Sequence, residues 1–207
     1  MKLLLTGFDP FGQETLNPSY EAIKLLPDRM GSAHIEKVLL PVSFENSGAV
    51  LKDAINACQP DAVICVGQAG GYAGLAIERI AINLRDASIP DNDGNQPQDQ
   101  PVVSCGPAAY FSTLPVKDIV SALKANHIPA FISNSAGTYV CNNVMYTLLH
   151  EIHSSHLSIP GGFIHVPYTT AQASQKLPVP PSMDLEQIAK GLKTAVETTV
   201  ASLKAEN

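Results

Sequence analysis

Short apolar runs alternate with amphipathic stretches along most of the chain. Residues 2–7 and 35–42 read as buried strands, as does the β-branched run 62–67, which ends in glycine. Further strands are predicted over 75–84, 130–133 and 162–166. Helices fall between them. One opens at Asn17-Pro18, a capping residue followed by the residue best suited to a first helical turn, and stops before Pro27. Ser43 can cap a second helix running to about Cys58, a third is predicted over 116–126, and a fourth runs from Tyr139 to about His153. The last opens with Asp184 and Gln187 in capping-box spacing and sets Leu185, Ile188, Leu192, Val196 and Leu203 near one face. This alternation predicts an α/β protein: a three-layer α/β/α single domain over residues 1–207 with a largely parallel, twisted sheet.

Two stretches fit no regular element. Residues 86–107 contain Pro90, Asp93-Gly94, Pro97, Pro101 and Gly106-Pro107, and read as a long loop of the kind that is usually functional or mobile. Residues 175–181 carry three prolines and read as a connector or protruding arm before the last helix.

Composition narrows the function classes. Of 207 residues, 45% are hydrophobic and 15% charged, which suits a packed core and not a disordered chain. A net charge of −6, with no run of Lys or Arg, counts against nucleic acid as a partner. The apolar run within Met1–Phe8 is too short for a signal peptide, and no stretch approaches a membrane span. The expectation is therefore a cytoplasmic protein with no membrane partner. Cys58, Cys65, Cys105 and Cys141 show no CxxC pairing, so free thiols are expected, most of them core residues.

Three segments concentrate unusual choices. In residues 133–142, a turn of small residues leads into a helix whose first turn holds Cys141. A sulfur there lies in the positive field of the helix start, near N–H groups that could stabilise an oxyanion. A core cysteine is the competing reading. His165 falls at the C-terminal end of a predicted buried strand, where open α/β sheets place their ligands, although a core histidine bonded to a carbonyl would look the same. In the third segment, glycines 67, 70, 71 and 74 follow a strand but match neither nucleotide-binding spacing. Glu78 then interrupts an apolar strand and must find a partner if buried, either structural or a protonatable imidazole. His150, His153 and His156, with Glu151, lack HExxH spacing and read as a solvated helix end, so no metal is expected.

Taken together the segments resemble the pyroglutamyl peptidase I family, also called pyrrolidone carboxyl peptidase. The resemblance covers nearly the whole chain. Its anchors are Leu5-Thr6-Gly7-Phe8-Asp9-Pro10-Phe11-Gly12 with Asn17-Pro18, residues 67–83, Ile89-Pro90-Asp91-Asn92, residues 135–142 and His165-Val166-Pro167. The resemblance implies a phosphorylase/hydrolase-like fold, thiol catalysis without metal or cofactor, peptides with N-terminal pyroglutamate as substrates, and a homotetramer. On the matching positions it implies Cys141 as nucleophile, His165 as base and Glu78 behind the imidazole. It implies that Phe8, Phe11, Tyr139 and Val140 wall a pocket for the lactam ring, with Asn17 and Gln68 making polar contacts at or near it. Ser88, Ala76 and Tyr139 depart from the residues frequent there, namely Arg, Ser or Thr, and Phe. Two other classes share parts of this pattern: a glutaminase-like amidase, which would need charged partners for its substrate, and a non-enzymatic small-molecule binder, which would not need the three reactive groups together.

Overall fold

Strands buried along their whole length need cover on both faces, and that requirement shapes the molecule. A computed structural model describes residues 1–205. The first half holds β1 (Lys2–Phe8), α1 (Pro18–Lys24), β2 (Arg29–Met30), β3 (Ala33–Leu40), α2 (Asn46–Cys58) and β4 (Ala62–Gln68). The middle holds β5 (Leu75–Glu78), β6 (Ile80–Ile82), β7 (Ala109–Phe111), α3 (Val116–Ala125) and β8 (Ala130–Ser133). Then come α4 (Val140–Ser154), β9 (Gly161–Val166), β10 (Tyr168–Thr169), α5 (Thr170–Ala173), β11 (Ser182–Met183) and α6 (Leu185–Ala205).

Seven strands form one sheet in the order β2-β3-β1-β4-β9-β5-β8. Its centre, β3-β1-β4-β9, is parallel; β5 joins β9 antiparallel and pairs with β8 parallel. Helices α1, α3 and α6 cover one face through Ile23, Ile119, Leu123, Ile188 and Leu192. Helices α2 and α4 cover the other through Leu51, Ile55, Val144 and Leu148. The result is the expected three-layer α/β arrangement.

The predicted strand over 75–84 does not run unbroken. At Arg79 the chain changes partners: its N–H donates to Ser133 O, but its carbonyl accepts from Ser112 N–H, each at 2.9 Å. Ile80–Ile82 then pairs antiparallel with Ala109–Phe111 in a separate ribbon. An apolar run cannot report such a switch, because both halves are equally apolar. Helix α2 starts at Asn46, not directly after Ser43, although the Ser43 hydroxyl does accept the Asn46 N–H at 3.1 Å.

The long 86–107 segment is a loop, pinned by Asp91. This carboxylate is buried and accepts N–H groups of Phe44, Asp93 and Asn95 at 2.8–3.0 Å. Burial pushes its pKa up, but these hydrogen bonds outweigh it and hold the group below the usual carboxylate range.

Candidate active site

The site lies at the C-terminal ends of β1, β4 and β9, on the face covered by α2 and α4. Position comes first from strand register. Gly67 on β4 lies beside His165 on β9, and Ala76 on β5 lies on the other side of His165. Directly paired residues share a face, so Glu78, two residues beyond Ala76, projects on the same side as His165. Glu78 and His165 are 0% and 5% exposed, and Glu78 Oε1 is 2.8 Å from His165 Nδ1. An ionised carboxylate can only accept, so Nδ1 carries the proton and Nε2 faces the reaction side. Glu78 Oε2 is buried without a protein hydrogen-bond partner among the described residues. The imidazole N–H is therefore the direct protein contact that offsets burial of this charge.

Cys141 is the second residue of α4. The capping residue, Tyr139, is extended and makes no side-chain hydrogen bond to the helix start. The N–H groups of Val140, Cys141 and Asn142 precede the first residue able to bond back within the helix, and point out of its end. Asn142 and Asn143 hold this end in place. Asn142 is fully buried; it accepts the Ile82 N–H at 3.0 Å and donates to Ile82 O and Leu84 O at 2.9 Å. Asn143 accepts from Arg85 Nε at 2.8 Å and donates to Phe44 O at 3.2 Å.

Burial pulls the His165 pKa down, but the charge and hydrogen bond of Cys141, followed by those of Glu78, outweigh it and push it up to about 10. The arrangement favours the protonated imidazole at His165.

Gly67 makes room for the sulfur. A Cβ at this position would lie 2.7 Å from Cys141 Sγ and 2.7 Å from Phe163 Cζ. We therefore expect Gly67→Ala to fold while displacing the thiol from His165. Because a misplacement of about 1 Å can cost roughly 100-fold, turnover should fall by about that factor. Steady-state kcat/KM and the rate of Cys141 alkylation by iodoacetamide check this together, and unchanged values for both would contradict it.

Beside the thiol, Phe8, Phe11, Asn17, Val42, Gln68, Tyr139, Val140 and Cys141 line a pocket of about 40 Å³. Three aromatic rings and two valines make up most of its wall, a confined apolar setting that suits a small ring and not an extended side chain. No Asp, Glu, Lys, Arg or His is among these residues. Tyr139 stands edge-on to Phe44 at 5.3 Å, and its hydroxyl donates to Pro90 O at 2.9 Å, which ties the 86–107 loop to the pocket wall. Asn17 lies in the wall, but its amide is occupied: Oδ1 accepts from the Ser19 N–H and hydroxyl, and Nδ2 donates to Asp9 O. Gln68 is different. Its Oε1 accepts from Gln172 Nε2 at 2.9 Å, which leaves its own Nε2 without a protein hydrogen-bond partner among the described residues. Gln172 also donates to Glu14, which pairs with Lys176.

Sequence reading missed Val42 as a wall residue, the two asparagines after Cys141, the pinning of the 86–107 loop by the Asp91 carboxylate, and Gln172. The adjacent Asn142-Asn143 in a helix that is otherwise largely apolar was a usable signal; Gln172 had none. His150 also differs from the solvated helix end expected of it. Its Nδ1 lies 2.9 Å from the Tyr110 hydroxyl and its ring stacks on Tyr146. Among the described residues, no group of three or more His, Cys, Asp or Glu side chains could hold a metal ion.

Known proteins resemble this chain along nearly its whole length. The family model described as pyroglutamyl peptidase matches residues 1–202. The pyrrolidone-carboxylate peptidase of Thermococcus kodakarensis is 50% identical over 206 residues, covering 100% of this chain and 99% of its own. The crystal structure of pyroglutamyl peptidase I from Bacillus amyloliquefaciens superposes with a TM-score of 0.94 at 51% identity, covering 97% of each chain. A point mutant of the pyrrolidone carboxyl peptidase from Pyrococcus furiosus superposes with a TM-score of 0.94 at 44% identity, covering 98% of this chain and all of that one. A match over nearly the whole length, in sequence and in backbone alike, means that this chain belongs to the pyroglutamyl peptidase family.

Proposed function

We propose that this chain hydrolyses the peptide bond after an N-terminal pyroglutamyl residue, with Cys141 as nucleophile, His165 as acid and base, and Glu78 as the carboxylate that orients the imidazole. One juxtaposition carries the reading: a thiol–imidazole–carboxylate series stands beside a small apolar pocket lined by no Asp, Glu, Lys, Arg or His. A glutaminase would have to recognise an ammonium and a carboxylate, and this pocket offers neither a counter-charge nor room for one. Release of a reporter amine from its pyroglutamyl amide tests the proposal, and no release by folded protein would overturn it.

The lactam ring packs between Phe8, Phe11, Val42, Tyr139 and Val140, with the Gln68 amide as a hydrogen-bond donor. The Cys141 thiolate attacks the carbonyl carbon, and the oxyanion is held by N–H groups at the start of α4. As the C–N bond breaks, His165 gives its proton to the departing amine. Water then attacks the thioester and loses a proton to the now neutral imidazole. Expulsion of the thiolate restores the starting pair and frees pyroglutamate.

Glu78 is assigned a supporting role, and pH tests it. The acid form of His165 is lost as pH rises through its folded pKa of about 10, so the alkaline limb of kcat/KM should lie well above 6.5. Glu78→Gln keeps the shape but removes an anion that raises this pKa. It should lower kcat/KM by roughly 10³-fold and move the alkaline limb to lower pH. A variant with the parental limb and parental rate would make Glu78 a structural residue only.

The protein is further proposed to work in the cytoplasm, where reducing conditions keep the free thiol of Cys141 active, and to assemble as a homotetramer. Leu177 and Val179, both exposed on the connector before α6, offer apolar surface for that assembly. No described helix is long and apolar enough to cross a membrane.

A further inference from the structure

The order of the strands sets out where a peptide must lie. The acyl pocket sits over β1 and β4, and Cys141 sits over Gly67 of β4. His165, which must meet the departing amine, is one strand further along, on β9. The residue that follows pyroglutamate therefore continues in the same direction, over β5 and β8.

What stands there is aromatic. Ala76 is paired with His165 on one side and with Phe131 of β8 on the other, so the three share one face of the sheet. The Ala76 methyl group leaves the space between the two rings to Tyr72, from the loop joining β4 to β5. The Tyr72 ring is edge-on to Phe131 at 5.3 Å and edge-on to His165 at 6.3 Å. Its loop can settle this low because Gly70 passes directly over the Tyr168 ring, where any Cβ would collide with it. Tyr72 is half-buried, and Phe131, on the edge strand β8, is 38% exposed. Two strand spacings, roughly 10 Å, separate His165 from Phe131, within reach of a large side chain attached next to the departing nitrogen.

We propose that Tyr72 and Phe131 form the subsite for the residue after pyroglutamate, and that they select a large apolar or aromatic side chain there. The proposal rests on the peptidase reading above. An added aromatic contact is worth about three- to tenfold in affinity. The measurement is kcat/KM for pyroglutamyl-phenylalanine amide and pyroglutamyl-alanine amide on one preparation, following the released amine. A chromogenic reporter does not serve, because its own ring would occupy the subsite.

The phenylalanine substrate should be preferred by roughly three- to tenfold, and Tyr72→Ala with Phe131→Ala should bring the ratio to within about twofold of one. The ratio cancels any loss that both substrates share, including one transmitted through the Tyr72–His165 contact. Should the double variant fail to fold, Phe131→Thr reads the same ratio at an exposed edge-strand position that suits threonine. A parental ratio near one, or a preference that survives in the variants, overturns the subsite while leaving the peptidase reading intact. Failure of the parental protein to cleave either peptide overturns both.

Discussion

Cys141→Ala is expected to lose at least about 10⁴-fold in kcat/KM toward a pyroglutamyl amide, leaving only the residual rate that binding and oxyanion contacts provide. Cys141→Ser should fare little better, because an alkoxide is far harder to form than a thiolate. The other cysteines supply the control. Cys65 is fully buried, and burial pushes its thiol up to about 12, so it is inert at neutral pH. Burial also raises the Cys58 thiol above its ordinary value. Substitution of either by alanine, or of the exposed Cys105, should leave turnover within a few-fold of the parent. A folded Cys141→Ala protein that turns over substrate normally would remove the nucleophile from the mechanism, and with it the proposed chemistry.

The second large effect is specificity for the ring. Pyroglutamate presents a neutral lactam N–H and C=O, whereas an ordinary peptide begins with an ammonium. The pocket side chains include no carboxylate to receive that charge. Burying it unpaired, or neutralising it first, costs several kcal/mol. An N-terminal proline keeps a ring of nearly the same size but lacks the lactam carbonyl, so the unpartnered Gln68 Nε2 would lose its acceptor. Sites built to hydrogen-bond a particular group can reject analogues lacking it by about 10⁴. Prolyl and glutaminyl reporter amides should accordingly be at least about a thousandfold poorer than the pyroglutamyl one in kcat/KM. Comparable values for the three would exclude the pocket as drawn, even with Cys141 as the nucleophile.

Local chemistry made much of the framework legible in advance. Residues 2–7 and 62–67 could be read as central strands because burial on both faces demands an unbroken apolar run. Asn17-Pro18 marked a helix start because the side chain of one caps the N–H groups that the other does not need. The turn of small residues before Cys141 put a thiol at a helix N-terminus, and His165 could be seen at a strand end. Each of these is decided within a few residues.

What tertiary structure alone decided was which of those separate features meet. Glu78 and His165 are 87 residues apart, and their contact depends on β5 inserting between β9 and β8, antiparallel to β9. No local pattern encodes that register. Nor could the apolar run over 75–84 show that the chain leaves the sheet at Arg79, since both segments are equally hydrophobic. Asn17 illustrates the same limit: its place in the pocket wall followed from the motif, but its amide had already been taken by the helix it caps. Sequence determines what each segment can become, because propensity and capping are local. Which side chains come within 3 Å of one another is set by strand order and register, because these come from the packing of the whole sheet.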